Sequence, residues 1–158
     1  MLARLVSSSS VAVAILVVLM SAPTDAGSTR QVACPISVPD SIEVDCGELV
    51  VPENYDEPEG RQLRLPYIIL RSRSADPEPD PLVFTAGGPG NSSLDSGWRF
   101  AESRLSDDRD VVVFEQRGIR HAEPALMCDV SVWWEEIAGS TPCLDGIRAL
   151  GIDVSQYT

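Results

Sequence analysis

Pro81-Leu82-Val83-Phe84-Thr85 runs directly into Ala86-Gly87-Gly88-Pro89-Gly90, and the fold is read outward from that junction. A short apolar run of β type that ends in glycines marks a place where backbone turns sharply. Without Cβ atoms, that backbone can take positive φ and bring its N–H groups close to a bound oxygen. A second such run, Asp110-Val111-Val112-Val113-Phe114-Glu115, ends in the same manner at Gln116-Arg117-Gly118. Two buried-type strands that each feed a glycine loop imply parallel pairing, with a site at the carboxyl ends of the strands.

Around this centre the chain reads as an α/β unit. Glu48 to Pro52 is a short strand, and residues 54–60 form a turn rich in Pro, Asp and Glu. Leu63, Leu65, Tyr67 and Ile69 alternate with Arg64, Pro66, Ile68 and Leu70, the period of a strand. Pro66 lacks an N–H, so this strand is expected at a sheet edge. Residues 72–81 read as an exposed loop. Leu94, Trp98, Ala101 and Leu105 share one helical face and predict a helix over 94–105. Leu144 to Leu150 is a short amphipathic piece, and residues 27–47 read as a polar, proline-punctuated lead-in. The order is an antiparallel start followed by strand, crossover helix and strand.

Residues 1–26 have the order of an export signal. Arg4 opens it, a serine run and the apolar stretch Val11 to Met20 follow, and cleavage after Ala26 leaves residues 27–158. The apolar stretch falls short of the about 20 residues that a membrane span needs; an uncleaved anchor is the competing reading. Four cysteines, Cys34, Cys46, Cys128 and Cys143, lie after it. In an oxidising compartment they predict two disulfides, for which three connectivities exist; the local pairs Cys34–Cys46 and Cys128–Cys143 are favoured because each closes a short polar loop, worth about 3 kcal/mol in the chain-entropy view. Zinc is the weaker alternative, because the spacings are not Cys-x2-Cys and His121 is the single histidine. The formal net charge of −12, with no cluster of basic residues, argues against nucleic acid or an anionic membrane as partner.

Three stretches together resemble the α/β-hydrolase superfamily, and within it the secreted proline-iminopeptidase and tripeptidyl-aminopeptidase branch. The first is Cys46-Gly47-Glu48-Leu49-Val50-Val51-Pro52 with Pro58 and Gly60. The second is Ala86-Gly87-Gly88-Pro89-Gly90-Asn91-Ser92, similar to a His-Gly-Gly-Pro-Gly loop. The third is Glu115 to Pro124 (Glu-Gln-Arg-Gly-Ile-Arg-His-Ala-Glu-Pro) with Cys128 beyond it. Ala86, Arg120 and Ala122 depart from the family pattern, which bears on substrate choice.

The resemblance implies acyl-transfer chemistry, in which backbone N–H groups stabilise a tetrahedral oxyanion. Gly87 or Gly88 would supply one donor, with Gly88 preferred; a plain glycine turn is the alternative. Glu115 and Arg117 fall where the family holds a loop-bracing acid and arginine, either as a buried pair or as an exposed one. His121 precedes the region where the family's Ser, Asp and His occur, so it is expected to be structural. Ser92 and Ser93 lie inside the glycine loop and are not nucleophile candidates, and no Gly-x-Ser-x-Gly occurs in the 158 residues. The triad is therefore expected beyond Thr158, with residues 27–158 an amino-terminal portion that is inactive alone. The implied substrate is a short peptide or small acyl compound, no cofactor is implied, and the protein is secreted or periplasmic. A small disulfide-stapled binding or structural domain is the alternative function. Asn91-Ser92-Ser93 matches a glycosylation acceptor that is read as incidental, and Trp98, Trp133 and Trp134 are read as packing residues.

Overall fold

The computed structural model describes residues 27–88, 90–127 and 142–157. Five strands form one mixed sheet in the order β1-β2-β3-β5-β4. They are β1 (Ser28–Gln31), β2 (Val44–Pro52), β3 (Gln62–Leu70), β4 (Leu82–Phe84) and β5 (Val111–Phe114). Pairing is antiparallel from β1 through β3 and on to β5, and parallel between β4 and β5. The antiparallel start and the parallel pair follow the expected order, a mixed arrangement compatible with α/β architecture. The expected leader, residues 1–26, lies outside the described residues, as do Cys128, Trp133 and Trp134.

Parallel strands cannot be joined by a tight turn, so the chain from Thr85 to Asp110 must cross the sheet. It carries α1 (Leu94–Gly97) and two 3-10 turns, Trp98–Glu102 and Arg104–Ser106. The single helix expected over 94–105 is thus broken into three pieces. Ser103 takes an extended conformation and its Oγ caps Leu105 N–H, while Ser106 Oγ donates to the carbonyls of Phe100 and Ala101. Serine side chains that bond nearby backbone offer an alternative to the helical ladder, and here that alternative wins. Leu105 consequently leaves the buried face and is 47% exposed. Arg73 secures the break from a distant loop, reaching Ala101 O, Ser103 O, Ser106 Oγ and Asp107.

The core lies between this crossover and one face of the sheet. Ile68, Leu70, Val111 and Val113 bury fully against Leu94, with Phe84, Trp98 and Phe100 at the margin. Phe84 and Phe100 meet edge to face at 4.6 Å. α1 sits so close that a Cβ on Gly97 would lie 2.5 Å from Val113 Cγ1, so only glycine fits there. Toward the other end of β3, Leu63 and Leu65 join Val51 and Ala122 in a second cluster. β3 therefore buries opposite faces at its two ends, which is why both halves of its alternating pattern are apolar.

Three expectations are corrected. Pro66 does not mark an edge, because β3 is central. Its carbonyl accepts Glu115 N–H at 2.9 Å, so the absent N–H faces β5. The β3–β5 ladder ends at Tyr67 opposite Phe114, where no donor is required of residue 66. The lead-in over 27–47 is structured, since it contains β1 and the start of β2. Finally, β4 is not buried on both faces: it is the outer strand of the described sheet, and Val83 is 64% exposed.

The Cys34–Cys46 disulfide is present as expected and ties the 34–46 loop to β2. Cys143 lies in α2 (Pro142–Ala149), a helix that overlaps the amphipathic piece read over 144–150, and is disulfide-bonded. The expected pairing with Cys128 involves a residue outside those described.

Candidate functional site

The loop that leaves β4 is held from outside itself. Ala86 N–H donates to Ser93 Oγ at 2.9 Å, which closes the loop on its own far end. Glu115, immediately after β5 and completely buried, accepts Ser93 N–H at 3.0 Å and the Ser92 hydroxyl at 2.6 Å. Gln116 Nε2 donates to Ala86 O at 2.7 Å and to Thr85 Oγ1. Among the described residues, no hydrogen bond engages the N–H groups of Gly87 or Gly88. Both glycines are exposed, and a Cβ on Gly87 would meet nothing within 4 Å. Gly88 has φ +146°, a conformation that L side chains rarely adopt.

A buried carboxylate is costly unless its charge is compensated by hydrogen bonds or a cation. Among the described residues no basic side chain pairs with Glu115. Its charge is met by the Ser92 hydroxyl and the Ser93 amide, both belonging to the loop. Glu115 therefore braces the loop, as the sequence resemblance implied, but not as half of an ion pair. Arg117 turns elsewhere: it donates to Glu53 O at 2.8 Å, Pro52 O at 3.2 Å and Gln156 O at 3.3 Å, and stacks over Tyr55. Both alternatives entertained for Glu115 and Arg117, a buried pair or an exposed pair, are corrected by this divergence. Glu115 serves the loop after β4, and Arg117 the end of β2 and the 154–157 turn.

Ser92 and Ser93 are occupied as braces. Ser93 is fully buried, and the one recorded partner of the Ser92 hydroxyl as donor is the Glu115 carboxylate. His121 is half-buried and its Nε2 lies 2.7 Å from Asp95 Oδ1, in the first turn of α1. Arg120 approaches the same carboxylate at 3.2 Å. This links the loop after β5 to α1 through the imidazole.

Arg117 and Gln116 also line a cleft of about 320 Å³ with Leu65, Phe114, Gln156 and Tyr157. Tyr157 donates its hydroxyl to the buried Glu53 at 2.9 Å. Burial first, and then that bond to a carboxylate, push the phenol well above its ordinary range. Among the described residues no group of three or more His, Cys, Asp or Glu side chains could hold a metal ion, and no helix is long and apolar enough to cross a membrane.

Sequence reasoning singled out Gly87 and Gly88 and, through the resemblance, Glu115 as a brace, but it passed over Gln116. Its signal was available only in part: a polar residue two positions past a strand end can reach the neighbouring strand's exit, but which atom it meets depends on register.

Comparison with known proteins places this geometry in context. No family model matches the chain. Serine protease Hip1 of Mycobacterium tuberculosis is 31% identical over 87 residues, 53% of this chain and 16% of that protein. Carboxylesterase B of the same organism is 31% identical over 114 residues, 68% of this chain and 22% of its own length. Tripeptidyl aminopeptidase of Streptomyces lividans is 29% identical over 92 residues, 54% of this chain and 17% of the relative. The chain thus spans about a fifth or less of the length of the curated relatives it matches. Their names point to a serine hydrolase family, at low identity and over part of each protein.

Proposed function

We propose that this chain supplies the oxyanion loop of a secreted serine hydrolase of α/β-hydrolase type, an exopeptidase acting on short peptides. One observation carries the reading. Gly87 and Gly88 are exposed just past β4 and their N–H groups have no hydrogen-bond partner among the described residues, while Ala86, Ser92 and Ser93 on either side of them are held. Fixed donors that need no reorganisation are what a developing tetrahedral oxyanion requires. In acyl transfer a serine attacks the substrate carbonyl, a histidine takes its proton and returns it to the leaving amine, and the oxyanion rests on such donors. Gly88, with Gly87 beside it, takes the donor role here. The serine, acid and histidine come from sequence beyond residue 158.

The test begins with the reading frame. An in-frame Gly-x-Ser-x-Gly after residue 158 is expected, and protein made from that frame should react with a fluorophosphonate probe and hydrolyse an aminoacyl arylamide. The 158-residue chain alone should do neither. Turnover by the 158-residue chain, or no serine labelling of the longer product, would end this reading.

A further inference from the structure

We propose that Gln116 is a positioning residue for the first amide of the glycine loop, that of Gly87, acting through the carbonyl of Ala86; the inference rests on the oxyanion reading above. Ala86 O and Gly87 N belong to one peptide unit, which is planar and, being trans, points its C=O and N–H in opposite directions. Whatever fixes the carbonyl aims the amide. Gln116 Nε2 holds that carbonyl at 2.7 Å, and a carbonyl can only accept, so the amide nitrogen of Gln116 must face it. A second contact, to Thr85 Oγ1, keeps the Gln116 side chain in place.

Two consequences follow. The Ala86–Gly87 plane cannot rotate without breaking the Gln116 contact, so the glycines start from a fixed direction despite their freedom. Hydrogen bonding at the carbonyl also polarises the peptide unit and makes its N–H a better donor. Because Ala86 N–H is held by Ser93 Oγ at 2.9 Å, residue 86 is pinned on both sides and the loop's mobility begins only at Gly87. Glu115 supports the far end of the loop and Gln116 its near end, from adjacent positions of one strand exit.

The experiment compares wild type with Gln116→Met, which keeps length but removes the donor, and Gln116→Glu, which sets an acceptor against the carbonyl. It uses protein from the complete reading frame, an aryl ester substrate, and a parallel measurement of melting temperature. Sub-ångström misdirection of a transition-state contact predicts that kcat falls about 10- to 100-fold in both variants with KM within about twofold. Melting temperature should stay close to that of wild type. An unchanged kcat, a change confined to KM, or a loss that merely tracks unfolding overturns the inference. If wild type turns over no substrate, the oxyanion reading fails by itself and 15N relaxation of glycine-labelled protein decides the inference. A Gly87 amide that is rigid in wild type and mobile in Gln116→Met sustains the positioning role; equal mobility in the two removes it.

Discussion

The two glycine loops of this chain are built in opposite ways. The loop after β5 is knit by backbone bonds, three within itself and two to Arg64 of β3. Ile119 N–H bonds Gln116 O, Ala122 N–H bonds Ile119 O, Leu126 N–H bonds Gly118 O, and Glu123 exchanges both bonds with Arg64. The loop after β4 has no comparable internal ladder. It is held by side chains, two of which, Glu115 and Gln116, project from the start of the other loop. One loop is a self-supporting buttress and the other a presented surface. Backbone that satisfies itself has nothing left to offer a ligand, whereas backbone held by its neighbours keeps its own donors free.

The strongest way to break this contrast is Glu115→Leu. It removes the acceptor for Ser93 N–H and Ser92 Oγ inside a buried site, a loss of about 3 kcal/mol. Hydrogen exchange should rise across 85–93 and stay unchanged across 118–126. A uniform rise over both loops would show that they form one unit. Gly88→Ala is smaller: its φ of +146° strains any side chain, at a cost of about 1–2 kcal/mol confined to the first loop. Chemical denaturation with exchange mapping checks the size and place of that loss.

The contact between the loop after β5 and α1, which follows the loop after β4, is weaker still. Asp95→Asn leaves His121 and Arg120 without their carboxylate, and half-exposed pairs of this kind contribute under about 1 kcal/mol. A larger loss in the melting curve would mean the loops are coupled more tightly than their backbones suggest. The last test lies at the opposite end of β5. Asp110 accepts Ser72 N–H and an Arg71 contact, which together hold its carboxyl below the ordinary value. A depressed carboxylate stabilises the fold above its unfolded pKa of about 4 and loses that contribution as pH falls through the folded value. Asp110→Asn should flatten this acid-side dependence in a pH titration of stability while affecting both loops alike.

Much of this arrangement was legible in the residues. The runs 82–85 and 110–115 with their glycines announced two strands and two turns, and their parallel pairing followed. The alternation over 63–70 gave a strand, yet Pro66 misdirected its placement, since whether a missing N–H matters depends on where the neighbour stops. The helix over 94–105 had the right spacing and the wrong outcome. Ser103 and Ser106 act locally, but Arg73, some thirty positions earlier, completes the break, and no window of periodicity includes it. Glu115 and Arg117 looked like partners because they are adjacent in the pattern. Their separation reflects which groups were already waiting, two serines for one and three carbonyls for the other.

Only three residue pairs join β4 to β5: Leu82 with Val111, Val83 with Val112 and Phe84 with Val113. So short a zipper has little authority over its own alignment, and a slip by one notch would swap its inward and outward side chains. What forbids the slip is the fastening just past the strand, where a carboxylate and an amide grip specific atoms of the chain. The strand's tip, rather than its length, sets its phase.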